Sequence, residues 1–258
     1  MKRWSGKIAV VTGASSGIGW AIVKDLVVVG VQVIGLARRL QQMEALRLTL
    51  GSSLGDAFHP RECDISNLAS IKLAFQWIEH TYGKMHILIN NAGMAEHCKL
   101  LDEGNESTLK QTIDVNLMGS VYCIKEAYRL MKFAMEQAQE ECHVINVNSL
   151  LGHTVPQHIP AAGLNIYPVA KHALRATNEV LRREMYEHKL MRLSTISPGL
   201  VQTQFGSKWP EAEMLTKLPD DVDILQPEDV ARGVIFILSS PPHVTIAELL
   251  MMPSREQY

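Results

Sequence analysis

Short apolar runs rich in β-branched residues recur along the chain, and segments with apolar positions at helical spacing separate them. KIAVVT (7–12), VQVIGLA (31–37), HILIN (86–90), HVINVNS (143–149), LSTIS (193–197) and the weaker AELLMM (247–252) read as strands. AFHPREC (57–63) reads as a further strand, with Pro60 counting against it because proline cannot donate to a ladder. AIVKDLVVVG (21–30), LASIKLAFQWIEHTYG (68–83), VYCIKEAYRLMKFAMEQAQ (121–139), YPVAKHALRATNEVLRREMYEH (167–188) and PEDVARGVIFILSS (227–240) carry the helical period. Strand and helix in alternation predict an α/β fold, a doubly wound parallel sheet with helices on both faces. No Pro/Gly-rich linker or internal repeat divides it, so residues 1–258 form a single domain.

Composition narrows the function without naming it. With a net charge of -2 and 20% charged residues, the chain suggests neither disorder nor a nucleic-acid binder, and points to a small-molecule partner. Cys63, Cys98, Cys123 and Cys142 are scattered without CxxC spacing, so no zinc site or disulfide framework is signalled and four free thiols are expected. No run approaches the ~18 apolar residues of a membrane span. The opening MKRWSGKIAV is too short in its apolar part for a signal peptide, so a soluble, cytoplasmic protein is expected.

TGASSGIG (12–19) raises the question of why Gly13, Gly17 and Gly19 cluster where the first strand turns into a helix. In a doubly wound sheet that turn lies at the ligand crevice, and glycine lets the backbone approach a pyrophosphate at the helix N-terminus. The turn therefore reads as a dinucleotide cradle of the Rossmann type, to which Ser15 and Ser16 add hydroxyl donors. The spacing GxxxGxG differs from the commoner GxGxxG, and its place between strand and helix strengthens it. After the second strand, where an NAD enzyme carries an acidic residue, the chain has Arg38 and Arg39. Arginine can hold a 2'-phosphate by charge-assisted bonds, so NADP(H) is the expected cofactor.

TGASSGIG (12–19), CDIS (63–66), NNAG (90–93), VNLMG (115–119), NVNS (146–149), YPVAK (167–171) and SPGLVQT (197–203) together resemble the short-chain dehydrogenase/reductase superfamily, in the expected order and over nearly the whole chain. VIGLARR, GLNIYPVAKHALRA and ISPGLVQTQF look like the animal subgroup that includes insect NADP-dependent farnesol dehydrogenases. The resemblance implies a catalytic set of Ser149, Tyr167, Lys171 and Asn116, with Asn116 in a proton relay through ordered water. It implies that Lys171 binds the nicotinamide ribose, and that Asp64, like the family's aspartate, contacts adenine. It further implies that Ile18, Asn91, Ala92, Gly93, Tyr167, Pro198, Gly199, Val201 and Thr203 line the cofactor, with Thr203 at the carboxamide. NNAG, including Asn90, is expected to stabilise the central sheet as well.

The chemistry supports these roles. Four residues apart, Tyr167 and Lys171 share one face of a helix. A phenol with a pKa of about 10 is a poor base near neutrality. An ammonium about 4 Å away contributes about 4 kcal/mol at an effective dielectric of about 20, enough to lower that pKa by about three at about 1.36 kcal/mol each. Desolvation opposes the effect, so a smaller net lowering is expected. Tyr167 is then the general acid/base, Lys171 its activator, and Ser149 a hydrogen-bond partner of the substrate oxygen.

Some features depart from the superfamily pattern. Eighteen positions separate Ser149 from Tyr167, a longer gap than usual, and the extra residues within 150–166 should border the substrate entrance. His153 and His158 are expected to be loop histidines. Pro168 is tolerated if Tyr167 opens its helix. Residues 204–226, with Phe205, Trp209, Met214 and Leu215, fit a substrate lid for a lipophilic alcohol or carbonyl, or else a surface helix packing on the core. The helices around 117–138 and 167–188 resemble the family's dimer faces, implying a homodimer or homotetramer. A non-catalytic NADP(H) sensor is the rival of another class, but it would be expected to lack Tyr167, Lys171 or Ser149. A nucleotide-sugar epimerase or dehydratase would need a larger substrate domain. Steroids, retinoids and diketones stand beside isoprenoids as substrate classes.

Overall fold

β1 (Ile8–Thr12) is buried along its whole length, which is why its sequence is an unbroken apolar run. Ala9 and Val11 face one side of the sheet and Ile8 and Val10 the other, each contributing to a separate core. The computed structural model describes residues 1–155, 165–205 and 224–254. β2 (Gln32–Ala37), β3 (Phe58–Glu62), β4 (Ile87–Asn90), β5 (Cys142–Val147), β6 (Met191–Pro198) and β7 (Glu248–Met251) join β1 in one parallel sheet. The strand order is β3-β2-β1-β4-β5-β6-β7. The predicted α/β doubly wound fold is the one found.

On one face, α1 (Gly17–Val28) packs with a second helix, labelled α8 (Pro227–Ser239) in chain order. Ile22 and Leu26 meet Val230, Val234 and Ile237, all fully buried, and each such side chain contributes about 1.5–3 kcal/mol. On the other face, α4 (Leu68–Tyr82) and α6 (Ser120–Ala138) bury Ile71, Phe75, Ile78, Leu130 and Met131. Between these elements lie α2 (Leu40–Thr49), α3 (Gly51–Gly55), α5 (Glu106–Ile113) and α7 (Tyr167–Glu184).

Sequence periodicity did not indicate α2, α3 or α5, and the structure explains why. Each buries a single residue, Met43, Gly55 and Thr112 respectively, too little to print an apolar stripe. Pro60 sits within β3 after all, because β3 is an edge strand paired only with β2. α1 begins at Gly17, earlier than its apolar period suggests, so the glycines belong to its first turn.

From β1 the chain adds β2 and β3 on one side and β4 on the other, which places a crevice at the carboxyl ends of β1 and β4. The two flanks of the expected lid meet near this edge, where Val201 bridges to Leu225 and Gln202 N–H donates to the Leu225 carbonyl at 2.8 Å. His158, Trp209, Met214 and Leu215 lie outside the described residues. Among the described residues no helix is long and apolar enough to cross a membrane, and no group of three or more His, Cys, Asp or Glu gathers as metal ligands.

Candidate active site

At the end of β1 the backbone turns with Gly13 at φ +68° and Gly17 at φ +52°, both in the left-handed region that favours glycine. A Cβ on Gly19 would lie 2.2 Å from the Gly13 carbonyl oxygen, so only glycine lets the helix close onto the turn. Ser16 precedes α1 in an extended conformation without capping it through its side chain, so the first N–H groups of α1, to which Ile18 belongs, have no side-chain cap from it. Arg39 reaches back from the end of β2 and donates to Ser15 Oγ at 2.9 Å and Ser16 Oγ at 3.0 Å. Arg38 stands exposed beside it. A guanidinium and two hydroxyls thus converge at the mouth of the turn, a donor set matched to a phosphate.

The wall opposite is built from β4 and its continuation. Thr12 Oγ1 accepts from Asn91 N–H and Ala92 N–H, both at 3.0 Å, while Asn91 Nδ2 donates to the Thr12 carbonyl at 3.0 Å. Thr12 is therefore a site residue that motif reading passed over, although it is the first letter of TGASSGIG. Gly93 lies against Asn116, since a Cβ there would be 2.9 Å from Asn116 Oδ1. On the far side, Gly199 N–H bonds the Met251 carbonyl at 2.8 Å, holding the Pro198–Gly199 turn to β7. Beyond it Thr203 faces the glycine turn, its Cγ2 3.2 Å from where a Gly17 Cβ would be. Val201, in the bridge to Leu225, lies between them in sequence.

Asp64 is tied locally: its Oδ1 accepts from Ser66 N–H and Ser66 Oγ at 2.9 and 2.7 Å. The following helix is capped by Asn67, whose side chain accepts from Ala69 N–H and Ser70 N–H.

Tyr167 is the first residue of α7, with Pro168 in the first turn where no intrahelical donor is lost. Asn165 sets this entry. Its backbone is at φ +37°, its Oδ1 accepts from Tyr167 N–H at 3.0 Å, and its Nδ2 donates to the Glu96 carbonyl. Asparagine is one of the few side chains that tolerate positive φ, and that was its only trace in the sequence. Beneath α7, Asn90 Nδ2 donates to Asn146 Oδ1 at 2.9 Å. Asn146 Nδ2 donates in turn to Asn178 Oδ1 at 2.5 Å, and Asn178 Nδ2 to Thr195 Oγ1 at 2.7 Å. This buried relay of amides fixes α7 to β4, β5 and β6, and with it Tyr167 and Lys171.

The phenol of Tyr167 lies beside Ser149, which follows β5. Ser149 Oγ also accepts from Leu151 N–H at 3.1 Å and so caps the short helical turn Leu150–Gly152. Lys171 donates to the Val147 carbonyl at 3.0 Å, with its ammonium 5.6 Å from the centre of the Tyr167 ring. The expected lowering of the phenol is not what this arrangement gives. Burial pushes Tyr167 up to about 12 despite the opposing pull of the neighbouring Ser149 hydroxyl, and burial brings Lys171 down to about 8. Both groups are almost fully enclosed, so desolvation of the charged forms outweighs the attraction between them.

Asn116 sits in a π-helical turn, Asp114–Gly119, between α5 and α6. Its Nδ2 donates to the Met94 and Thr112 carbonyls at 2.7 and 2.9 Å, and its Oδ1 accepts from Met94 N–H at 3.1 Å. The amide thus holds the loop after β4. His153, expected as a loop histidine, ends the Ser149 turn and reaches Ser197.

A glycine-lined crevice at the switch point, with a Tyr–Lys pair and a strand-end serine at its edge, defines a short-chain dehydrogenase. The chain belongs to that family: the short chain dehydrogenase model matches residues 7–214, and the chain is an oxidoreductase of this type. It is 37% identical to a farnesol dehydrogenase of Aedes aegypti, with all of both chains covered. It is 38% identical to dehydrogenase/reductase SDR family member 11 of Mus musculus, over 99% of this chain and 97% of that one. Two solved structures share the fold at full length. One is the closed form of a serine dehydrogenase complexed with NADP+, with TM-score 0.83 and 28% identity over 97% of this chain and 96% of that one. The other is an alcohol dehydrogenase from Thermococcus sibiricus complexed with 5-hydroxy-NADP, with TM-score 0.80 and 25% identity over 98% and 99%. The family and subgroup read from the motifs are those the comparisons find.

Proposed function

We propose that this protein is an NADP(H)-dependent enzyme that interconverts a lipophilic alcohol, such as farnesol or a similar isoprenoid, and its carbonyl. The observation that carries the reading is the placement of the Tyr167 phenol beside Ser149, one helical turn from Lys171, at the edge of the glycine crevice. The residues fit the cofactor: Gly13, Gly17 and Gly19 let the turn close tightly against the first helix and the opposite wall, and Arg39 with Ser15 and Ser16 would hold the 2'-phosphate. Lys171 would bind the nicotinamide ribose, and Thr203, Pro198 and Gly199 would border the ring.

In the reductive direction Ser149 and Tyr167 both donate hydrogen bonds to the carbonyl oxygen and so orient it. Bound NADPH supplies the hydride, or NADP+ accepts it in reverse. As charge develops on the oxygen, Tyr167 gives it the phenolic proton; in oxidation Tyr167 takes that proton back. Phe205 packs against Tyr167 with the rings tilted and their centres 5.6 Å apart, which supplies an apolar wall suited to an isoprenoid tail. Exposed Phe133 on α6 and Val169 and Val180 on α7 favour a homodimer or homotetramer through these helices, in the cytoplasm.

The test follows NADPH absorbance against a panel of isoprenoid, steroid, retinoid and diketone carbonyls and the matching alcohols, for the wild type and Tyr167→Phe. Turnover is expected with the isoprenoids and is expected to vanish in the variant. Turnover kept by Tyr167→Phe removes Tyr167 from its role, and binding of NADPH without any turnover restores the sensor reading.

A further inference from the structure

The turn that carries Ser149 is anchored at its far end by a chain of three side chains from separate elements, Ser197 buried and His153 and Glu248 partly exposed. Ser197, fully buried at the end of β6, donates through Oγ to Glu248 Oε1 at 2.6 Å. His153 Nε2 lies 3.1 Å from Ser197 Oγ and 3.4 Å from Glu248 Oε1. Because the serine proton is engaged by the carboxylate, the serine oxygen can only accept from the histidine, which fixes the proton on His153 Nε2. The direction runs His153 to Ser197 to Glu248.

We propose that His153, Ser197 and Glu248 are positioning residues that hold the Ser149 hydroxyl and the Pro198–Gly199 turn in one register. Ser149 caps the turn Leu150–Gly152 at one end and His153 closes it at the other, with His153 N–H on the Leu150 carbonyl at 2.9 Å. The Leu151 N–H that fills an acceptor site on Ser149 Oγ belongs to that same turn. The turn thereby sets where Ser149 Oγ sits and how its hydroxyl can face the substrate oxygen, so moving the turn moves that hydroxyl. The middle of the turn is wedged as well: a Cβ on Gly152 would lie 2.5 Å from Asn148 Nδ2 and 2.9 Å from the Lys171 carbonyl. On the other side, Ser197 directly precedes Pro198 and Gly199, and Glu248 opens β7, whose Met251 carbonyl holds Gly199 N–H. One hydrogen-bonded chain thus ties the oxygen-orienting serine to the turn that borders the nicotinamide. This inference rests on the assignment of Ser149 to the substrate oxygen.

The experiment compares steady-state kinetics, NADPH affinity and Tm of the full-length enzyme with His153→Ala, His153→Gln, Glu248→Gln and Ser149→Ala. His153→Ala is expected to lower kcat about tenfold to a hundredfold, with KM for NADPH within about twofold, as a sub-ångström misplacement of a substrate-orienting group would. His153→Gln keeps an N–H donor at similar reach and is expected to recover most of the loss, which a merely space-filling role would not require. Glu248→Gln is expected to fall between them. A His153→Ala enzyme with wild-type kcat overturns the proposal. So does a loss of kcat matched by a loss of NADPH-binding stoichiometry or a large fall in Tm, and so does a His153→Gln enzyme no better than His153→Ala. Should Ser149→Ala keep full turnover, the site assignment itself fails; a dead Ser149→Ala beside an unaffected His153→Ala sinks only the positioning chain.

Discussion

Lys171 follows Tyr167 by one helical turn, and its ammonium, 5.6 Å from the phenol ring, is bonded to the Val147 carbonyl at 3.0 Å. The ammonium therefore belongs to the sheet edge as much as to the phenol. Burial raises the tyrosine to about 12 and lowers the lysine to about 8, so the protein alone presents a neutral phenol across the physiological range. That is the form carbonyl reduction needs, and the form alcohol oxidation must first deprotonate.

The two directions should accordingly part company with pH. Reduction requires the proton on Tyr167, which the site holds well past neutrality, whereas oxidation requires its removal. Initial rates measured from about pH 6 to about pH 10 should show kcat/KM for the alcohol rising with pH, while that for the carbonyl stays level or declines. An alcohol profile that falls over the alkaline half of that range removes the neutral phenol from the mechanism.

Lys171 also carries a stability cost that function explains. Its pKa drops from the ordinary lysine value of 10.5 to about 8 in the fold, a difference of about 3 kcal/mol at about 1.36 kcal/mol per pKa unit. A depressed lysine pKa means that the unfolded chain binds the proton more tightly. Wild-type stability is thus greatest above about 10.5 and is lost as pH falls from there to about 8. Lys171→Met abolishes this dependence along with activity. Urea unfolding of both proteins near pH 7 and near pH 10 should show the stability difference moving in favour of the wild type at the higher pH, by up to about 3 kcal/mol. A constant difference contradicts the buried charge.

Arg39 holds both Ser15 and Ser16, so all three donors can turn onto one phosphate. Removing the guanidinium by Arg39→Ala should raise KM for NADPH about tenfold to a hundredfold, equivalent to about 1.4–2.8 kcal/mol, and leave KM for NADH nearly unchanged. Arg38→Ala should do less, since both arginines are exposed and it is Arg39 that donates to Ser15 and Ser16. Equal effects on the two cofactors would place the 2'-phosphate elsewhere.

Much of this site could be read from local runs of residues. The glycine turn, the Tyr–Lys spacing and the strand-end serine each depend on neighbours within one helical turn or one loop, so their sequence patterns survive without tertiary knowledge. The sign of the Tyr167 perturbation was not legible, because spacing reveals the ammonium and conceals how little water the fold leaves around both groups. The hold of Asn116 on the loop after β4 was hidden for a related reason: its partner Met94 lies 22 positions away. His153 looked like a loop residue because Ser197 and Glu248 reach it only through the assembled edges of β6 and β7.

At the amino-terminal edge of the sheet, opposite the crevice, Glu140 gathers Lys7 and Lys84 at 2.5 and 2.7 Å and His86 at 2.8 Å. His86 Nδ1 accepts from Ile8 N–H at 3.1 Å, so its Nε2 carries the proton it gives to Glu140, and burial keeps the ring below its ordinary pKa. Burial alone would raise the Glu140 carboxyl, but the hydrogen bonds from Lys7, Lys84 and His86 prevail and hold it at about 2. A depressed carboxylate pKa contributes stability that is present above the unfolded value of 4.5 and is lost as pH falls through about 2. These residues precede β1, β4 and β5, so the cluster pins three central strands together where no substrate reaches. Glu140→Gln should lower unfolding free energy by about 2–3 kcal/mol near neutrality, with the deficit shrinking below about pH 4 and kcat unchanged. A variant as stable as the wild type at pH 7 by urea titration would show that the two lysines and His86 stay satisfied by water without the carboxylate.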